Sequence, residues 1–337
     1  MRLGFYMGYA PPGTNPTQLV ELAQEAERLG YDSAWAAEAW GTDAVTVLSW
    51  LAARTERLRV GSAILQIPAR TPAMTAMTAM TLDLMSGGRF LLGLGTSGPQ
   101  VVEGWHGEAW GKPLGKTREY VSIVRTALRR EVVEHHGEHY DVPYGGAGAT
   151  GLGKPLKLMA RPLRAEIPIY LAAIGERSVR LAAEIADGWL PIFYSPEQAQ
   201  AVFGAQLEPA RGREFDVAPS VPVVLTDDVA SGRDALRHYY ALYVGGMGAR
   251  GRNFYNALFA RYGYEAEARA IQEAYLEGRR QEAASLVPDR FVDEVALVGP
   301  RERIAERLDA WRESGATTLL VSTRQPEALR VLAELVL

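Results

Sequence analysis

Side chains able to carry acid–base or nucleophilic chemistry are scarce in this sequence, so each can be weighed singly. There is no cysteine, and the five histidines are His106, His135, His136, His139 and His238. Histidine is the usual proton carrier near neutral pH. Three of them sit in Glu134-His-His-Gly-Glu-His139, where Gly137 would break any helix that aligned them as metal ligands. A solvated hairpin is expected there, and no metal site. His106 follows a glycine-rich loop, where it either reaches a substrate or lies on the surface. Among the carboxylates, Glu38 stands out in Trp35-Ala-Ala-Glu38-Ala-Trp40, directly after an apolar run. A carboxylate between aromatics at the end of a buried strand is costly unless it is hydrogen-bonded or put to use. Glu38 is therefore the expected catalytic acid or base, against the alternative of an exposed loop glutamate.

Two stretches offer backbone rather than side chains. Gly93-Leu-Gly95-Thr-Ser-Gly98 has the spacing of a dinucleotide-binding fingerprint. That motif must open a helix, however, and Pro99 followed by the glycine-interrupted Val101–Trp105 makes a poor helix start. A glycine-rich loop at the C-terminal end of a barrel strand is the expected role. Ala172-Ala-Ile-Gly175-Glu-Arg-Ser178 joins a strand to a helix. Free N–H groups and the helix dipole make such a turn an anion site, and Gly175 lets a ligand come close.

The elements that must position these residues alternate from the start of the chain. Short apolar runs at 3–9, 33–37, 58–65, 90–95, 167–172, 188–192, 220–225 and 317–322 read as strands. Helical periodicity fills most of the intervals: 16–29, 44–53, 72–85, 114–130, 176–186, 196–211 and 301–313, with a closing helix at 327–335. The strand runs lack in–out alternation, as parallel strands covered on both faces do, and parallel pairing requires crossover helices. Eight such units in 337 residues predict an α/β fold, a (β/α)8 TIM barrel. An open doubly wound sheet with a second domain is the competing architecture, and no linker supports it. One domain over 1–337 is expected, with insertions at about 131–166 and 240–295. The second insertion carries Gly245-Gly-Met247-Gly, Asn253-Phe-Tyr255 and Phe259, which would suit a mobile cover over an apolar substrate. Met74, Met77 and Met80, spaced by three among small residues, predict a packing face, either within the core or against another subunit in a homodimer or higher oligomer.

Composition narrows the chemistry further. With 36 Lys+Arg against 40 Asp+Glu spread along the chain, there is no basic footprint for nucleic acid. Without cysteine there is no thiolate nucleophile, disulfide, iron–sulfur cluster or thiolate zinc site, so redox chemistry must come from a bound cofactor. No apolar run has the length of a membrane span and the N-terminus runs straight into a strand, so a cytoplasmic protein is expected.

The order of motifs carries a family likeness. Glu27-Arg-Leu-Gly-Tyr-Asp-Ser-Ala-Trp35 with Glu38, Val60-Gly-Ser-Ala-Ile-Leu65 leading to Arg70-Thr-Pro72, and Ser86-Gly-Gly-Arg-Phe90 with Gly93-Leu-Gly95 come first. Thr117-Arg-Glu-Tyr120, Ala173-Ile-Gly175 and Ala186-Asp-Gly-Trp189 follow. This series resembles the bacterial luciferase-like superfamily, and within it the branch that uses the deazaflavin coenzyme F420, with FMN users as close relatives. The resemblance implies a luciferase-like TIM barrel with the cofactor across the C-terminal ends of the strands. It implies hydride transfer between F420 and a small-molecule substrate, with an FMN-dependent monooxygenase or a non-catalytic flavin binder as alternatives. Residue by residue, it implies that Glu38 contacts the cofactor and that Ser62-Ala63 holds a non-prolyl cis peptide behind the central ring. Gly95, Thr96 and Ser97 match the loop beside the ring and ribityl chain, and Ala173, Ile174, Gly175 and Glu176 match the phosphate-binding turn. Sugar-phosphate dehydrogenases of this group place a histidine after the acidic residue and a glutamate in the glycine-rich loop. Here those places hold Ala39 and, near the second, Gly98, which argues against sugar-phosphate oxidation.

Overall fold

A computed structural model describes residues 1–8 and 15–337, so the end of the first expected strand, at Tyr9, lies outside the described residues. Eight parallel strands form the framework: β1 (Arg2–Gly8), β2 (Ser33–Ala36), β3 (Arg59–Ser62), β4 (Phe90–Gly95), β5 (Ile169–Ala172), β6 (Gly188–Leu190), β7 (Asp216–Val217 and Ser220–Leu225) and β8 (Thr318–Ser322). The helices that follow them are α1 (Pro16–Arg28), α2 (Ala44–Arg54), α3 (Pro72–Met85), α4 (Pro113–Leu128), α5 (Glu176–Ile185) and α6 (Ala199–Leu207), then α7 (Val229–Ala241) and α8 (Arg301–Glu313), both between β7 and β8, with α9 (Pro326–Val336) last. Several helices start where capping chemistry sets them. Asn15, Asp43 and Thr71 each accept a hydrogen bond from a first-turn N–H, and Pro16 and Pro72 occupy first-turn positions where no amide proton is needed.

The sheet closes on itself. β1 pairs with both β2 and β8, and the order runs β2, β3, β4, β5, β6 to the first half of β7. β7 seals the ring because it bonds on both edges. Ala218 N–H donates to Trp189 O and Ser220 N–H to Pro191 O on one side, while Thr317 and Leu320 N–H donate to Val217 O and Pro219 O on the other. A closed barrel, rather than an open doubly wound sheet, is thus the architecture. Its interior is filled by Trp35, Leu91, Tyr170, Leu190, Ala218 and Leu320, drawn from six of the strands. Trp35 and Tyr170 meet edge to face at 5.1 Å. Glycines make room for them: a Cβ on Gly61 would sit 2.3 Å from the Trp35 ring, and one on Gly188 2.3 Å from the Tyr170 ring.

Departures from the sequence reading cluster where strands meet loops. The third strand is not continuous over 58–65: β3 stops at Ser62, and a separate pair, Leu65–Gln66, rejoins the edge of β4. The run after Gly98, expected to be a poor helix start, forms a six-residue helix, Pro99–Gly104, because Pro99 falls at its N-terminus where proline fits. The expected helix over 196–211 is α6 followed by a 3-10 turn, Glu208–Ala210. A short strand, Leu297–Gly299, was not expected. It pairs with the far end of β7 (Val223 opposite Leu297) on the edge that β6 has left, Thr226 N–H donating to Gly299 O.

The first insertion contains the expected hairpin, with His135 opposite Val142 and His136 opposite Asp141. The second runs on from α7 through a π-helical turn, Leu242–Gly246, and the helices Phe254–Arg261, Glu265–Leu276, Arg280–Ser285 and Asp289–Val295. No helix among the described residues is long and apolar enough to cross a membrane.

Candidate active site

Parallel strands put all their C-terminal ends at one mouth, and the residues singled out from the sequence gather along one arc of it. Gln66 lies in register with Gly95, and Leu94 with Leu171, so the rim runs from the Leu65–Gln66 edge through β4 to β5. A Cβ on Gly95 would meet Ile64 at 2.9 Å and the Ala172 Cβ at 3.6 Å, so the arc is built as closely as backbone allows.

Ser62 is buried and its hydroxyl is spent within the wall: it donates to Gly93 O at 2.8 Å and accepts from Gly93 N–H at 2.9 Å. This clasp spans the break in the third strand, where backbone pairing with β4 lapses. What the segment presents to the mouth is the partly exposed Ala63 and Ile64, which pack on the interior cluster. The non-prolyl cis bond is present, but it joins Ala63 to Ile64, one residue beyond the Ser62-Ala63 position implied by the family pattern.

Glu38 is also buried, and its carboxylate is engaged. Oε1 accepts from Gln66 N–H at 3.0 Å and from Arg70 at 2.5 Å, and Oε2 accepts from Ala44 N–H at 3.3 Å. Arg70 reaches on to Asp43 at 3.1 Å. Burial disfavours the Asp43 charge, but hydrogen bonds from Thr46 and the Arg70 guanidinium outweigh it and hold Asp43 below the ordinary carboxylate range. Gln66 completes the group, its amide donating to Ala39 O at 2.8 Å and accepting from Ser97 Oγ at 2.7 Å and from His106 at 3.3 Å. Neither Gln66 nor Arg70 was singled out as a site residue from the sequence. Arg70 was visible only within the motif Arg70-Thr-Pro72, and a lone buried amide gives no sequence signal.

The loop after β4 holds Thr96, whose hydroxyl donates weakly to Ser97 O at 3.4 Å, and Ser97, which adopts φ +56°. A left-handed non-glycine residue at the end of a strand is held there by its surroundings, and such residues concentrate at functional sites. Ala173 O accepts from the Trp189 indole at 2.9 Å, fixing the turn from β5 into α5. Gly175 is the N-cap of α5 and offers no side-chain cap, so the first-turn amides of Glu176 and Arg177 point out of the helix unspent. A Cβ on Gly175 would meet only Ser178 Oγ, at 3.7 Å. Ile174 is partly exposed, and the Glu176 side chain turns to Arg261 of the second insertion at 3.4 Å.

That insertion packs against the mouth at several points, with one residue at the centre. Phe193, just past β6 and at φ +54°, is surrounded at 5.4–6.2 Å by the rings of Tyr239, Tyr240, Tyr243, Tyr255 and Phe291. Tyr262 donates to Phe193 O at 2.9 Å, and the buried Glu294 accepts from Tyr264 at 3.1 Å and Ser195 Oγ at 3.4 Å. The hairpin histidines bond to carboxylates instead, His135 to Glu119 at 3.1 Å and His136 to Asp141 at 2.6 Å. Among the described residues no three His, Asp or Glu side chains come together as a metal site.

A closed barrel with a mouth made of backbone, small side chains and an open helix terminus defines the class, and the comparisons place the chain within it. Residues 1–318 match the model of the luciferase-like monooxygenase family, and the chain belongs to that family. A Mycobacterium tuberculosis protein, provisionally named a coenzyme F420-dependent oxidoreductase, is 45% identical over the whole of this chain and 99% of its own length. Among solved structures, the F420-dependent tetrahydromethanopterin reductase of Methanopyrus kandleri superposes with a TM-score of 0.81 at 22% identity, covering 99% of this chain and 97% of that one. An F420-dependent secondary alcohol dehydrogenase bound to an F420–acetone adduct gives 0.78 at 18% identity, covering 99% and 98%. At those identities the structural likeness is one of fold.

Proposed function

We propose that this protein is an F420-dependent oxidoreductase that moves a hydride between the deazaflavin and a small organic substrate held beneath the second insertion. The observation that carries this reading is the continuous arc of Ala63–Ile64, Gly95–Ser97 and the open N-terminus of α5 at one barrel mouth. Family membership and the relative that is 45% identical end to end support it. When bound, the deazaflavin supplies a ring carbon that accepts or delivers a hydride, and the protein's tasks are orientation, water exclusion and charge.

In this reading the backbone at Ala63 and Ile64, one residue beyond the implied Ser62-Ala63, would lie behind the rings, and Gly95, Thr96 and Ser97 would flank the ring and its chain. Ala173, Ile174, Gly175 and Glu176 form the phosphate turn, where the unspent amides of α5 meet the anion. Glu38 acts as a positioning residue: by gripping Arg70, Gln66 and Ala44 at once, it fixes the loop after β2 and the Leu65–Gln66 edge that frame the cofactor. The aromatic cover around Phe193 keeps water from the transferring hydride.

The test is titration of the purified protein with F420 and with FMN, followed by fluorescence. Saturable F420 binding, with turnover on a panel of alcohols, ketones and activated alkenes, is the expected result. Tight FMN retention without F420 binding would put the protein among the flavin monooxygenases. F420 bound one to one with no turnover on any panel member would make it a carrier.

The same reading includes a homodimer or higher homo-oligomer. On α3, Met74, Met77, Leu84 and Met85 are 44–52% exposed along one face, more apolar surface than a helix in water ordinarily keeps. Light scattering should return at least twice the 36.8 kDa chain mass, and Met77→Lys should shift it to one.

A further inference from the structure

Resting on the cofactor assignment above, we infer that His106 carries the proton that accompanies hydride transfer, and that Gln66 fixes the tautomer that lets it do so. Hydride transfer to or from a C–O centre leaves one proton to be moved, and Glu38, the expected carrier, already has Oε1 bound to Arg70 and Gln66. His106 stands on the other side of the same glutamine.

The tautomer follows from the hydrogen bonds. Ala39 O can only accept, so the Gln66 nitrogen 2.8 Å from it is the donor and the Gln66 oxygen faces Ser97 and His106. An oxygen acceptor 3.3 Å from His106 Nε2 requires a proton on that nitrogen. In the neutral ring Nδ1 is then a bare lone pair, and it has no hydrogen-bond partner among the described residues. The His106 backbone is tied down by its N–H to Val101 O at 3.1 Å. Because Gln66 is in register with Gly95 and Ser97 is held left-handed, the ring is fixed to the arc proposed to hold the cofactor.

The charged groups around it are Glu103 and Glu108 on its own segment, Glu38 and Arg70 behind Gln66, Asp43 behind Arg70, and Lys116, which lines the same crevice as Thr96 and Val102. In the oxidising direction the substrate hydroxyl proton passes to Nδ1 as the C–O bond becomes a double bond. The C–H bond breaks with its electron pair leaving as hydride, and the deazaflavin is reduced by two electrons. In the reducing direction the imidazolium returns the proton to the carbonyl oxygen.

The test reads the ring itself, in the full chain labelled with 15N-histidine. The neutral form of His106, assigned by loss of its signal in His106→Gln, should be the Nε2–H tautomer, and Gln66→Leu should abolish that preference. Saturating F420 should move the His106 ring 15N signals, because the ring borders the arc that would hold the cofactor. Proton uptake on F420 binding, read with an indicator dye, should appear in wild type and vanish in His106→Gln. F420 that binds without moving His106, or a predominant Nδ1–H tautomer, would overturn the role of His106 alone. No F420 fluorescence change at all would overturn the cofactor assignment and this inference together.

Discussion

At the N-terminal end of the barrel, the buried Asp216 accepts hydrogen bonds from Tyr170 and Thr318 at 2.9 Å and pairs with Arg2 at 2.8 Å, while Asp32 holds Arg59 across β2 and β3. At the C-terminal end, the rim residues are glycine, alanine, serine and threonine, two of the bends are left-handed at non-glycine residues, and a helix terminus is left uncapped. The floor spends its polar groups on itself, and the mouth keeps the first-turn amides of α5 available. The state of the charges follows the same division. Burial works against the Arg2 cation, but Asp216 and Asp32 overcome it and hold its pKa above the ordinary value. Burial and the Asp216 charge push the Tyr170 phenol up as well, so both stay protonated at any working pH.

The comparison breaks most sharply at Asp216. Asp216→Ala would leave Arg2, Thr318 and Tyr170 facing one another without an acceptor, and should cost about 3–5 kcal/mol in urea unfolding. F420 affinity of the folded fraction should be unchanged, because the mouth shares no polar group with the floor. A substitution at the mouth should do the reverse. Glu38→Gln keeps the shape but halves the counter-charge on Arg70, costing about 1–2 kcal/mol of stability, with F420 affinity falling roughly tenfold, which fluorescence titration would show. The smallest effect is expected at Asp43. Its folded pKa is depressed, so its contribution is complete above the unfolded value of about 3.9 and is lost as pH falls through the lower folded value. Asp43→Asn should flatten the acid limb of the stability curve by less than about 1 kcal/mol, since the Asp43 side chain is 47% exposed.

Much of the framework was legible because strand and crossover helix each write a separate period into the sequence; the caps at Asn15, Asp43 and Thr71 mark in the structure where one yields to the other. The strand-to-helix turn at Gly175 was legible for the same reason, being local. What escaped reading depends on partners far along the chain. The fate of Glu38 is decided by Arg70, 32 residues on, and by a glutamine whose burial depends on how the third strand breaks. The register of the cis bond, one residue from its implied place, depends on that same break. Phe193 reads as one more apolar residue after a strand, and its role as the hub of five rings is set by a segment that begins some fifty residues later. The strand Leu297–Gly299 is too short to leave a periodic trace.

That short strand changes the geometry of the vessel. Because it takes over the edge of β7 that β6 relinquishes, the wall has eight staves at its base and a ninth at its lip. One strand is about 4.8 Å wide, so the lip is cut wider by that amount on a single side, between β6 and β7. That is the side from which the second insertion departs, so the barrel opens asymmetrically toward it.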